Sequence, residues 1–341
     1  MTGRILYLDG IRGLAALSVA IMHFPIDNYI SNSSFFSNSF LFVDLFFVLS
    51  GFILTILYSG FFSPIVFLKL RFARIAPVYY LTLFFGIVLE FLKLLFPDLS
   101  TTQSFSGSND FYSLLREVLL IQSLPIFSNT SFDPPNWSIS SEAFAYLVMS
   151  LFLLISPARR LVFWTVMFIS MLFISMSISQ LNNAHELAIY RCFFGFSAGV
   201  LVAHFINKWE SLSFGSYSNL ATLVIIILTI AYIWIGGLPA FPPALFFSII
   251  LLALHCSKGE LREYVFSNKT VVFLGDISLS LYLVHYFIAM RFEEIDVFFT
   301  KGEAQVELLF LSYLLVVIFM SFVMFRYYEV PLRKLLRPKI K

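Results

Sequence analysis

Apolar runs long enough to cross the roughly 30 Å hydrocarbon layer of a bilayer, about 20 residues each, follow one another along nearly the whole chain and decide what it can fold into. They fall near 8–27, 40–59, 76–96, 141–157, 161–179, 187–206, 217–235, 240–256, 271–290 and 306–326. The expectation is an all-α polytopic transmembrane helix bundle of about ten spans, a single membrane domain over residues 1–341 with no fused soluble domain. Composition agrees: 59% of residues are apolar and 12% charged, against about 25% charged in an ordinary soluble domain. The 43 phenylalanines are more than one soluble core could bury. The first run has no short core followed by a small-residue cleavage site, so it reads as a retained span. FYSLLREVLLIQSL at 111–124 has helical periodicity but is short and polar-flanked, which suits an interfacial or re-entrant segment. Cys192 and Cys256 fall in different spans without metal or redox spacing and read as packed apolar residues.

Lysine and arginine orient the bundle, because cytoplasmic loops carry their excess. With the N-terminus in the cytoplasm, 17 of the 22 basic residues fall on that side. They include Arg4, Arg12, Lys69, Arg71, Arg74, Arg159, Arg160, Lys208, Lys258, Arg262, Lys269 and the tail from Arg326 to Lys341. Arg116, Arg291 and Lys301 fall in outer connections, and Lys93 and Arg191 towards the outer ends of spans. Ten crossings return the C-terminus to the cytoplasm, so both termini are expected there. The basic tail is explained by anionic lipid headgroups, and no nucleic-acid partner is implied.

This orientation sorts the polar residues inside spans into two layers. At the inner end, LDGIRG at 8–13 offers Asp9 as an N-cap and Arg12 in the first turn, where the helix dipole is already positive. A cation there is locally unfavourable, but the arrangement suits an anion such as a phosphate. In RFARIAP at 71–77, Arg71 and Arg74 share one helix face, and paired guanidiniums form a clamp for phosphate oxygens. For each motif alone, a snorkelling positive-inside anchor explains the charges equally well.

At the outer depth sit His23, Asp44, Glu142, Arg191 and His285. His23 lies about 15 residues along its helix, roughly 20 Å from the inner surface, and Pro25 follows it. A lone histidine in a span is usually a satisfied core group. Five polar residues from five helices at one depth instead suit a proton relay or an acid–base catalyst.

Taken together, LDGIRGLAALSVAIMHF, VDLFFVLSGFIL, RFARIAP, NWSISSEAFAY, YRCFFGFSAG, LGDISLSLYLVH and YYEVPLR resemble the acyltransferase family 3 membrane proteins, and they spread from residue 8 to 333. That resemblance implies a bacterial inner (cytoplasmic) membrane enzyme that O-acylates a polysaccharide or lipid-linked glycan acceptor. Its donor would be acetyl-CoA or a related acyl-CoA from the cytoplasm. His23 matches the family's expected catalytic base, and Arg12, Arg71 and Arg74 match its donor-handling residues. Glu142 matches the acidic residue of the Trp-Ser motif, which here includes Trp137 and Ser138. Arg191 and His285 match polar positions without a stated role. SSEAF after Trp137 departs slightly from the commoner family wording.

On this reading His23 takes the proton of an attacking hydroxyl, Glu142 or Asp44 orients the imidazole, and Arg191 is a candidate oxyanion donor. Direct transfer is preferred because no serine or cysteine sits in a recognisable nucleophile elbow; a transient acyl-histidine or acyl-serine is the alternative. From other classes, a secondary transporter or proton-coupled permease uses the same kinds of buried residue, but no inverted repeat is evident. A non-catalytic scaffold is the remaining reading. No metal is expected, because the histidines lack ligand spacing.

Overall fold

The structure, a computed structural model, describes residues 4–99, 103–127, 132–177, 187–209, 213–238, 242–297 and 305–338. Lys301, Lys339 and Lys341 lie outside these residues, as do the last residues of the expected span 161–179 and the first of 240–256. The helices are α1 Leu6–Met22, α2 Ser34–Ser37, α3 Phe42–Leu57, α4 Pro64–Leu95, α5 Phe111–Val118, α6 Asn136–Phe152, α7 Pro157–Ser177, α8 Ala188–Trp209, α9 Ser218–Trp234, α10 Pro243–Cys256, α11 Glu260–Phe266, α12 Lys269–Ile295, α13 Val306–Met324 and α14 Val330–Leu336. No β-strand occurs among the described residues.

Seven helical segments are long and apolar enough to cross a membrane: Ser34–Leu57, Pro64–Leu95, Pro157–Ser175, Ala188–Ile206, Gly215–Trp234, Lys269–Ile295 and Val306–Leu336. The other three expected spans are also helices but shorter. Helices α1 and α6 have 17 residues each and α10 has 14. By length and composition alone, seven helices among the described residues are candidates to cross a membrane, three fewer than the apolar runs of the sequence. The shortfall has local causes. His23 caps α1 two residues before Pro25. Helix α10 is bounded by Pro242 and Pro243 on one side and by Ser257, whose hydroxyl donates to Ser218 O at 2.6 Å, on the other. The sequence places the start of α6 at 141, but the helix begins at Asn136 because the polar NWSIS stretch is buried rather than solvated. The 111–124 segment forms only the eight-residue α5.

Two helix crossings bring the functional elements together, and both are built on small residues. Helix α1 runs along α12, and a Cβ on Gly13 would strike the Leu274–Gly275 backbone, while one on Gly275 would strike Asp9 O. Helix α3 runs along α8, where a Cβ on Gly199 would strike Val48 O. Backbones this close gain dispersion contacts that lipid tails cannot replace, which is how helices associate without a hydrophobic driving force. Around these crossings lie two apolar clusters. The larger spans α3, α4, α6, α8 and α10, and the smaller joins α1, α12 and α13. Tyr313 of α13 donates to Ala20 O at 2.8 Å and anchors the last turn of α1.

Candidate active site

Between the two clusters α1, α3, α4, α6 and α12 leave a cavity with about 800 Å³ of empty space. Arg12 reaches it from α1, Ser50 from α3, Arg71 and Arg74 from α4, Ser138, Glu142 and Tyr146 from α6, and Ser278 and Tyr282 from α12. A second cavity of about 610 Å³, lined also by Arg4 and Asp9, shares Arg12 and Arg74 with the first. Arg12 donates to Asp9 Oδ1 at 3.2 Å, within its own first turn. Arg71 donates to Tyr58 Oη at 3.2 Å and lies 5.7 Å from the Tyr58 ring centre. Its Nε is buried without a partner. Neither Arg71 nor Arg74 has a carboxylate at ion-pair distance among the described residues. Three guanidiniums against the Glu142 and Asp9 carboxylates leave an excess of positive charge here, which favours an anionic ligand.

Glu142 belongs to this arginine cavity. Ser50 and Tyr146 both donate to its Oε1, the latter at 2.5 Å. Among its contacts is neither histidine.

His23 finds its partner on α12. His285, which is fully buried, places Nε2 3.1 Å from His23 Nδ1, and the ring centres are 4.9 Å apart. Backbone carbonyls fix the tautomers. His285 Nδ1–H donates to Leu281 O at 3.2 Å, which leaves its Nε2 an acceptor. His23 Nδ1 lies 3.0 Å from Val19 O, so it too carries the proton, shared between Val19 O and His285 Nε2. The opposite assignment would set ring lone pairs against both carbonyl oxygens. His23 Nε2 is thereby left with an open lone pair, the state a base must have. The reading that Glu142 or Asp44 orients the imidazole is corrected: a second imidazole does so, one turn from each carbonyl that holds it.

Asp44 and Arg191 are each other's partners. Arg191 donates to Asp44 through Nη2 at 2.6 Å and Nε at 3.2 Å, and both residues are buried. Trp137 covers the guanidinium, its ring centre 5.3 Å away. A bidentate buried pair of this kind ties α3 to α8.

Tyr282 joins the two halves. It lines the arginine cavity, accepts from Ser138 Oγ at 2.9 Å, and its ring lies 5.8 Å from that of His285. Sequence reading passed over Tyr282, Ser50 and Tyr146. Helical spacing carried a signal for two of them, since Tyr146 stands four residues after Glu142 and Tyr282 three before His285. No group of three or more His, Cys, Asp or Glu side chains arranged for a metal occurs among the described residues.

The family described as "Acyltransferase domain" matches residues 5–328. The chain is 25% identical to the O-acetyltransferase OatA of Staphylococcus aureus, over 96% of this chain and 57% of that protein. It is 46% identical to protein 2 in the picA locus of Rhizobium radiobacter over 85 residues, 24% of this chain and 42% of that one. The chain thus spans about half the length of the curated relatives it matches. No solved structure matches. With the family match running through every helix that lines the site, the chain belongs to the acyltransferase domain family.

Proposed function

We propose that this protein moves an acetyl group from cytoplasmic acetyl-CoA to a hydroxyl of a cell-surface polysaccharide, such as O-antigen or exopolysaccharide, with His23 as general base. The observation that carries the reading is the open Nε2 of His23, held by His285 and Val19 O, with Tyr282 set between the His285 ring and the arginine cavity that it lines. Arg12, Arg71 and Arg74 would hold the donor's phosphates. The thin pantetheine arm would carry the thioester past Tyr282, along the roughly 16 Å of helix between Arg12 and His23. His23 Nε2 takes the hydroxyl proton as the acceptor oxygen bonds to the acyl carbon. The carbon–sulfur bond then breaks, and the proton passes from the imidazole to the departing thiolate. The likeness to an O-acetyltransferase over almost the whole chain supports acetyl as the group moved.

This reading takes the basic-residue distribution at face value, with both termini in the cytoplasm and the protein in the inner membrane. All ten apolar runs then cross, with the short helices α1, α6 and α10 spanning where neighbouring helices surround them. The test is transfer of radiolabelled acetyl from acetyl-CoA into the polysaccharide fraction of membranes carrying this chain, wild type beside His23→Ala. Loss of a general base lowers the rate about 100-fold or more. Equal labelling by a folded His23→Ala would remove the histidine from the chemistry, and label retained on the protein without acceptor would replace direct transfer by an acyl-enzyme.

A further inference from the structure

Five buried side-chain atoms where the chain enters α6 have no hydrogen-bond partner among the described residues. They are both carboxylate oxygens of Asp133, both amide atoms of Asn136, and Oε1 of Gln122. Asp133 and Asn136 are 0% exposed and Gln122 5%. Folded chains pair almost all such atoms, so a group of them marks a place where something outside the chain belongs. The three side chains form one patch: Gln122 Nε2 donates to Asn136 O at 3.3 Å, and Asn136 N–H donates to Asp133 O at 2.9 Å. Phe132, just before Asp133, holds φ at +50°, a left-handed conformation that a bulky residue rarely adopts.

The patch adjoins the histidine pair. Tyr282 donates to Pro135 O at 3.3 Å, within the same turn, and its ring lies against His285. Asp133 lies within electrostatic range of both the Tyr282 and Tyr286 hydroxyls. The Tyr286 ring lies 5.5 Å from that of His23, with its edge towards it. Phe132 packs with Phe287 around Gly86 of α4, which holds the loop against α12.

We propose that Asp133, Asn136 and Gln122 form an acceptor subsite that grips the hydroxyl groups neighbouring the attacking one, and so selects a sugar ring over a simple alcohol. The proposal rests on the reading that a hydroxyl attacks beside His23. Its chemistry follows from the unpaired atoms. Burial and the nearby Glu117 carboxylate raise Asp133 well above the ordinary carboxylate range, which favours the protonated form, a group that can both donate and accept. The Asn136 amide does the same, and Gln122 offers an accepting Oε1. A vicinal array of hydroxyls, each a donor and an acceptor, matches such a set; one hydroxyl on an alkyl chain leaves most of it unpaired.

The experiment measures acetyl transfer from acetyl-CoA to two acceptors: de-O-acetylated surface polysaccharide from the source cells, and 1-octanol. Wild type is set beside Asp133→Ala, Asn136→Ala and Asp133→Asn, with donor KM and thermal midpoint in detergent measured for each. The subsite requires the alanine variants to raise polysaccharide KM about tenfold or more, to leave octanol transfer and donor KM unchanged, and to melt no lower than wild type. Asp133→Asn, neutral and of the same shape, should retain most of the affinity. An unchanged polysaccharide KM would mean that the patch holds ordered water only, and would overturn the proposal. So would a lowered midpoint with both acceptors affected alike, which is the mark of a structural role. Transfer to neither acceptor by wild type would instead sink the function on which the proposal rests.

Discussion

Arg191 and the pair Arg71 and Arg74 are guanidiniums inside the same helix bundle, and the chain treats them in opposite ways. Arg191 is bidentate on Asp44 and roofed by Trp137. Among the described residues Arg71 and Arg74 have no carboxylate at ion-pair distance, and Arg71 Nε has no partner. A buried charge that is fully paired is a fixed element of the fold. One left unpaired destabilises the empty protein and awaits a ligand. Family membership alone would not separate these arginines, because all three stand in motif segments.

The largest expected effect breaks the paired side. Asp44→Ala leaves Arg191 buried without its carboxylate and should lower stability by about 3–5 kcal/mol. Replacing both residues by leucine and methionine should recover most of that loss, read as the thermal midpoint in detergent. If the single variant melts like wild type, Asp44 is not the clamp between α3 and α8 that its geometry describes.

The unpaired side should respond the other way. Arg71→Ala and Arg74→Ala are expected to keep or raise the thermal midpoint while raising donor KM about 10- to 100-fold, the worth of one or two charge-assisted hydrogen bonds. Their effect should shrink in high salt more than that of Asp44→Ala, because the cavity is open and the Asp44–Arg191 pair is not. A fall in stability matching that of Asp44→Ala would erase the distinction.

A smaller effect tests the imidazole pair. His285→Gln keeps an acceptor near His23 Nδ1 but not the rigid ring held by Leu281 O. It should lower kcat about tenfold with donor KM unchanged, well short of the loss in His23→Ala. A shift confined to donor KM would move His285 from the acid–base chemistry to the donor site.

The sequence made some of this legible and hid the rest for a physical reason. Helical runs and polar positions follow from periodicity and hydropathy along one segment, and each expected span holds a helix among the described residues. Partners do not follow. His23 meets a residue 262 positions away, and Asp44 meets one 147 away. Helical rise gave five residues a common depth, but depth does not say which face of a neighbour each one meets. Hydropathy opens this span at 141, after NWSIS, yet that stretch is helical and buried, with Ser138 bonded to Tyr282 and Ser140 to Ser123, the latter at 2.8 Å. Ser123 lies in a loop whose course no periodicity could give.

The smallest expected effect extends the comparison to a carboxylate outside the helices. Asp44 is paired by an arginine, whereas Asp133 has no partner and is raised well above the ordinary carboxylate range by burial and by Glu117. The native chain therefore keeps a proton that the unfolded chain releases near pH 4. Below that pH both states are protonated and the residue imposes no linked penalty. As pH rises towards the folded-state pKa, the native state binds the extra proton and wild-type stability falls, by at most about 1.4 kcal/mol for each pH unit. Asp133→Asn removes the titration. Its midpoint should match wild type below about pH 4 and pull ahead as pH rises above it, whereas a variant of the paired Asp44 should show no such gain. A pH-independent difference at Asp133 would mean that its carboxyl is ionised and paired in the protein, and the contrast between the two aspartates would collapse into two ordinary ion pairs.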